Sequence, residues 1–165
     1  MGAEPEETFT KIVIDLPEAE DGVGGEGVWT VEVAPELYEV RNSPFHTLEI
    51  NFKDVVRAIA PAPDKHPVFS EVFRRGGHRS IQIVFLDENE DGRHEVLRRI
   101  NDLGASYEGS ANVLFAIDLP PEVSFNAVVD YLQEKQAAGL LEQRYAPQPQ
   151  TPGCGEDIFK GPGPP

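Results

Sequence analysis

Hydrophobic positions change their period about midway along the chain. Up to residue 79 they alternate in short runs. Phe9–Leu16 places Phe9, Ile12 and Ile14 as apolar anchors of a strand. Gly27–Val33 sets Val28, Thr30 and Glu32 against Trp29, Val31 and Val33, a half-buried strand that Pro35 ends. Leu37–Arg41 is a second short strand, paired with the first as a hairpin, and Asn42-Ser43-Pro44 is a turn. Phe45–Ile50 and Asp54–Ala60 read as two more strands, followed by a Pro-rich loop to Lys65. Val68–Arg74 alternates again, and Arg75-Gly76-Gly77-His78 reads as a hairpin turn. Short strands and tight turns over residues 9–79 predict a small barrel or strongly curved sheet.

Beyond residue 80 helical periods appear. Ser80–Leu86 is an apolar strand, and Asp87–Gly92 a polar loop rich in carboxylate helix caps. Arg93–Leu103 carries Val96, Leu97, Ile100 and Leu103 on one helical face, with Gly104 where a helix-ending glycine belongs. Ala105–Glu108 and Asn112–Leu119 are strands about a Gly109-Ser110 turn. Ser124 caps a second helix bearing Phe125, Val128, Val129 and Leu132; Gly139 ends it, and Leu140–Tyr145 forms a last strand. The order over 80–145 is βαββαβ, the ferredoxin-like pattern. The expected class is α+β, flanked by a disordered acidic terminus (1–8) and a disordered Pro/Gly-rich tail (146–165) that has too little apolar surface to offset its ordering entropy.

Charge sharpens this picture. The 165 residues carry 14 Lys+Arg and 29 Asp+Glu, net −15. Residues 1–40 hold 11 acids and one base, whereas residues 41–80 hold 4 acids and 7 bases. Such a balance argues against phosphate-backbone binding, so no nucleic-acid partner is expected. It suits a basic protein partner, met by Glu18, Glu20, Asp21, Glu26, Glu32 and Glu36. No apolar run is long enough for a membrane helix, and residues 1–30 lack the layout of a secretory signal, so the expectation is a cytoplasmic protein without a membrane. The single cysteine, Cys154, permits neither an internal disulfide nor a cysteine-built zinc site.

Candidate chemistry is sparse. Asp87–Gly92 matches the first half of a calcium loop, but Arg98 stands where the closing bidentate Glu belongs, so the segment reads as a capping loop. His46, His66, His78 and His94 lack metal-ligand spacing. Neither nucleotide-binding nor hydrolase motifs occur, so no catalytic residue, metal or cofactor is expected. Phe73–Arg79 is the most suggestive segment: Arg74, Arg75, Arg79 and His78 surround two glycines, a composition that holds a carboxylate or phosphate or pairs with the chain's own acids. Phe45 or Trp29 would line such a site at the junction of the two halves, although Trp29 and Phe115 read first as core aromatics.

The motifs Gly27-Val28-Trp29, Leu37–Phe45 (LYEVRNSPF), Asp54–Ala58 (DVVRA) and Gly76–Ile81 (GGHRSI) together resemble a family of small actinobacterial and myxobacterial proteins of unknown function. The resemblance spans roughly residues 9–145 and implies that Asn42, Pro44, Phe45, Asp54, Gly77 and His78 occupy family motif positions; it brings no activity. The acidic βαββαβ half also resembles ferredoxin-like regulators of ribonuclease activity, a likeness of topology and charge. Together these features point to a non-enzymatic acidic protein that regulates or neutralises a basic partner, as immunity proteins, antitoxins and nuclease inhibitors do. The alternative is a small anionic ligand bound at the junction.

Overall fold

Five strands of the first half wrap into a closed barrel in the order β1-β2-β3-β4-β5: β1 (Phe9–Asp15), β2 (Gly25–Ala34), β3 (Leu37–Val40), β4 (Val55–Ile59) and β5 (Val68–Arg74). The computed structural model describes residues 7–16, 24–86, 90–110 and 113–146; the two expected disordered ends lie largely outside these. Neighbouring strands pair antiparallel. The seam closes through a parallel contact at Val13↔Val68, where the Val13 N–H donates to the Pro67 carbonyl at 2.9 Å. Inside lie Ile12, Ile14, Val28, Val40, Ile50, Val56 and Ala58.

A narrow five-stranded interior takes small β-branched side chains, and this decides which face of β2 is buried. Val28 and Thr30 point inward, Thr30 satisfying its hydroxyl on the Thr10 carbonyl at 2.7 Å. Trp29, expected in the core, instead stands outward and is half exposed.

The second half forms a four-stranded antiparallel sheet in the order β7-β8-β6-β9, from β6 (Arg79–Phe85), β7 (Ser106–Gly109), β8 (Leu114–Leu119) and β9 (Leu141–Arg144). Helices α1 (Glu90–Asp102) and α2 (Phe125–Ala137) bury Val96, Leu97, Ile100, Val128 and Leu132 against Ile81, Ile83, Ile117 and Leu119. Ser124 caps α2 by accepting from the Ala127 N–H, and Gly104 and Gly139 take the positive φ that closes a helix. The fold is mixed α+β, with one apolar cluster in the barrel and another between sheet and helices.

Two further expectations fail for identifiable reasons. Phe45–Ile50 is a loop, because the backbone N–H groups of Phe45, His46 and Thr47 donate to a side chain and not to a neighbouring strand. Residues 75–78 do not form a hairpin turn: β5 belongs to the barrel and β6 to the second sheet, so this segment crosses between them. Gly76 is required there, since a Cβ would lie 2.2 Å from the Lys53 carbonyl oxygen.

Candidate functional site

The sheet face opposite the helices is polar. Strand alternation places Ser80 and Gln82 of β6, Asp118 of β8, Glu108 of β7 and Arg144 of β9 on it, and their backbones are register partners or near neighbours. The barrel segment 42–54 meets this face, and the contact is built from hydrogen bonds.

Glu26 begins it from the barrel side. Its buried carboxylate accepts the N–H of Phe45 at 2.5 Å, His46 at 3.1 Å and Thr47 at 2.9 Å. From the opposite side Gln82 donates Nε2 to the carbonyls of Pro44 (3.2 Å) and Thr47 (2.8 Å). Its Oε1 accepts from Arg144 Nε at 2.7 Å, and Arg144 reaches the His46 carbonyl at 2.7 Å. The 43–47 loop is thus gripped through its donors by the barrel and through its acceptors by the sheet, which leaves few of its polar groups unpaired.

Asp54 forms the second knot. Fully buried, it accepts from the Asn51 N–H (2.8 Å), the Gly76 N–H (2.9 Å) and Arg75 Nη1 (2.7 Å), while Arg75 also reaches the Glu49 carbonyl at 3.0 Å. Burial pushes its carboxyl above the usual range, against the opposing pull of the Gly76 N–H and the Arg75 charge.

The third knot is His78 with Asp118. His78 Nδ1 lies 2.9 and 3.0 Å from the two Asp118 oxygens, and Phe52 meets the imidazole edge-to-face at 5.1 Å. Burial raises the Asp118 carboxyl; the His78 hydrogen bond opposes this, and Glu108 and Glu122 add to it. With Nδ1 donated to a carboxylate, Nε2 is the ring atom left for other chemistry. Ser80, directly opposite Asp118 in register, has a buried hydroxyl with no hydrogen-bond partner among the described residues. No group of three or more His, Cys, Asp or Glu able to hold a metal occurs among those residues.

The candidates of the Arg-Gly segment separate. Arg75 and His78 are taken by Asp54 and Asp118. Arg79 lies 3.5 Å over the Phe125 ring and donates to the Ala146 carbonyl at 2.7 Å; burial lowers its pKa. Arg74 is exposed at the end of β5. Phe45 is half-buried in the gripped loop, whereas the Trp29 indole faces outward beneath Lys11. Of the acidic candidates, Glu32 and Glu36 are exposed at the β2–β3 turn, Glu26 is consumed by the loop, and Glu18, Glu20 and Asp21 lie outside the described residues. Asn42, Pro44, Phe45, Asp54, Gly77 and His78 fall in the two segments, 42–54 and 75–78, that run along this junction: Asn42 Oδ1 accepts the Trp29 backbone N–H at 2.6 Å, and Gly77 turns at φ 94° beside Pro121.

A family model described as a domain of unknown function, DUF4265, matches residues 26–143. The chain belongs to the DUF4265 family. The matched span opens on Glu26, the first residue of the junction, and encloses Asp54, Arg75, His78, Gln82 and Asp118. Among solved structures, the DUF4265 chain is similar to a hypothetical protein from Neisseria gonorrhoeae, with a TM-score of 0.69 at 17% identity, covering 87% of this chain and 96% of that one. At that identity the likeness shows the fold alone. No curated protein matches the chain.

Sequence reasoning missed Gln82, Asp118 and Arg144, and assigned Glu26 to a partner where the structure gives it to the 45–47 loop. The available signal was a lone polar residue inside an apolar strand: Gln82 within SIQIVFL and Asp118 within LFAIDL.

Proposed function

We propose that this chain is an acidic, non-enzymatic binding protein that regulates or neutralises a basic protein partner, in the manner of an immunity protein, antitoxin or nuclease inhibitor. One observation carries the reading. The cations of the central segment, Arg75 and Arg79, are spent on internal contacts, while Glu32 and Glu36 stand exposed on a half of the chain with net −10 over residues 1–40. The protein then presents excess negative charge that steers a basic partner and makes binding salt-sensitive. The strand order β7-β8-β6-β9, with α1 and α2 packed on the face opposite the barrel segment, supports reading the second half as a ferredoxin-like unit, in keeping with the likeness to acidic ferredoxin-like regulators of ribonuclease activity. The test is capture from the native host by wild type beside a Glu32→Lys/Glu36→Lys variant. The reading expects one basic protein, recovered less well by the variant; equal recovery, or none by either, counts against it.

A second reading rests on the His78–Asp118 pair. His78, oriented through Nδ1, together with exposed Arg74 would hold a small anionic ligand at the junction. Thermal-shift screening with nucleotides, amino acids and sugar phosphates tests it: a stabilising ligand whose effect is lost in His78→Gln supports this reading, and no shift with any of them removes it.

A further inference from the structure

The outer wall of β1 and β2 carries aromatic and apolar surface that the barrel does not use. Phe9, Trp29 and Val33 are each about half exposed, at 52%, 50% and 52%. Register places Lys11 opposite Trp29 and Phe9 opposite Val31, so these side chains share one outward face. Exposed apolar surface in contiguous positions marks an interaction site more often than scattered single residues do.

The face already shows which chemistry it accepts. Lys11 Nζ sits 5.9 Å from the centre of the Trp29 ring, at the outer limit of a cation–π contact. Its stem lies across Gly27, where a Cβ would come within 2.4 Å of Lys11 Cε. Beside Trp29, Arg41 is held by Glu39 through Nε at 2.7 Å and by Glu7 through both terminal nitrogens at 2.7 and 2.6 Å. Indole face and paired carboxylates are the two groups that recognise a guanidinium. Among the described residues of 1–40, Glu7, Asp15, Glu32, Glu36 and Glu39 are at least partly exposed against the single base Lys11, a balance that favours a cationic occupant over an anionic one.

We infer that this face docks an arginine-bearing segment of the basic partner, with the partner's guanidinium on the Trp29 ring in place of Lys11 and its apolar neighbours on Phe9 and Val33. The inference rests on the proposed reading of a basic protein partner and assigns it a surface. Arginine is favoured over lysine, because its flat, weakly hydrated head stacks on an aromatic face.

Trp29 is the single tryptophan, so its fluorescence reports on this face directly. The experiment titrates the full chain with two labelled peptides of equal length and charge, one alternating Arg and Gly and the other Lys and Gly. Anisotropy follows binding and Trp29 emission follows location. The expected result is tighter binding of the arginine peptide by about two- to fivefold, the range of an exposed cation–π contact. Trp29 emission should change during that titration. The preference should vanish in Trp29→Ala and widen in Lys11→Met, with circular dichroism confirming that both variants fold. Binding of both peptides with unchanged Trp29 emission, or an arginine preference that survives Trp29→Ala, overturns the assignment and leaves the basic-partner reading standing. Absence of binding to either peptide at low salt defeats both.

Discussion

Replacing Glu26 by Ala should loosen the whole junction. Glu26 accepts three backbone N–H groups on two oxygens, His46 and Thr47 on Oε1 and Phe45 on Oε2. In the alanine variant all three donors lose a charged acceptor. Phe45 and His46 are half-buried and recover water in part, but Thr47 is buried and stays orphaned. A buried unsatisfied donor costs about 1–3 kcal/mol, and loss of a hydrogen bond to a charged group a similar amount. The variant should therefore lose about 3–5 kcal/mol, less whatever the loop regains by relaxing. In a chain of this size that lowers Tm by about 10 °C, at about 2–4 °C per kcal/mol. Glu26→Gln should lose less, because the amide oxygen keeps two donors and its NH2 faces the Phe45 N–H. Glu32→Gln, an exposed change, should stay within about 0.5 kcal/mol. Urea unfolding followed by circular dichroism gives all three midpoints. A Glu26→Ala midpoint indistinguishable from that of Glu32→Gln would refute the view that this carboxylate holds the 43–47 loop.

Further expectations can be checked on the same samples. Gly76→Ala should destabilise by about 1–3 kcal/mol or more, because its Cβ would lie 2.2 Å from the rigid Lys53 carbonyl oxygen; an unchanged urea midpoint would count against that close approach. Burial raises the Asp54 carboxyl, so the folded state holds its proton to higher pH than the unfolded chain does. Asp54's contribution is then fully present below the ordinary value of 3.8 and is lost as pH rises through the folded-state value. Wild-type stability relative to Asp54→Asn should accordingly fall across that window and level off above it, and a difference that grows with pH would reverse the sign. Acrylamide should quench Trp29 readily in the native protein; strong shielding would place the indole in the core after all.

Much of the second half was legible because its signals are local. Val96, Leu97 and Ile100, and likewise Phe125, Val128 and Leu132, recur at helical spacing, and Gly104 and Gly139 supply the conformation that ends each helix. The barrel strands showed their alternation but not which side faces in. Val28 and Trp29 stand on opposite faces of β2, and closure into five strands, a tertiary event, chose Val28. Loop 45–50 has strand-like residues, yet the N–H groups of Phe45, His46 and Thr47 go to Glu26, about 20 positions earlier in the chain, which no local pattern encodes. The Arg-Gly segment stood out in the sequence by its composition. Its cations could be assigned to internal partners only once Asp54, from the barrel, and Asp118, from β8, were seen beside it. The contacts that organise the candidate site join residues far apart in sequence, and a lone polar residue in an apolar run was their one visible trace.

The central claim, an acidic protein made to hold a basic one, is tested most directly by affinity capture from the native host at low salt, eluted with a rising salt gradient and read by mass spectrometry. The account predicts one predominant basic protein that leaves at moderate salt and, once purified, rebinds with an affinity that falls as salt rises. A blank, or a partner whose binding is indifferent to salt, would contradict it.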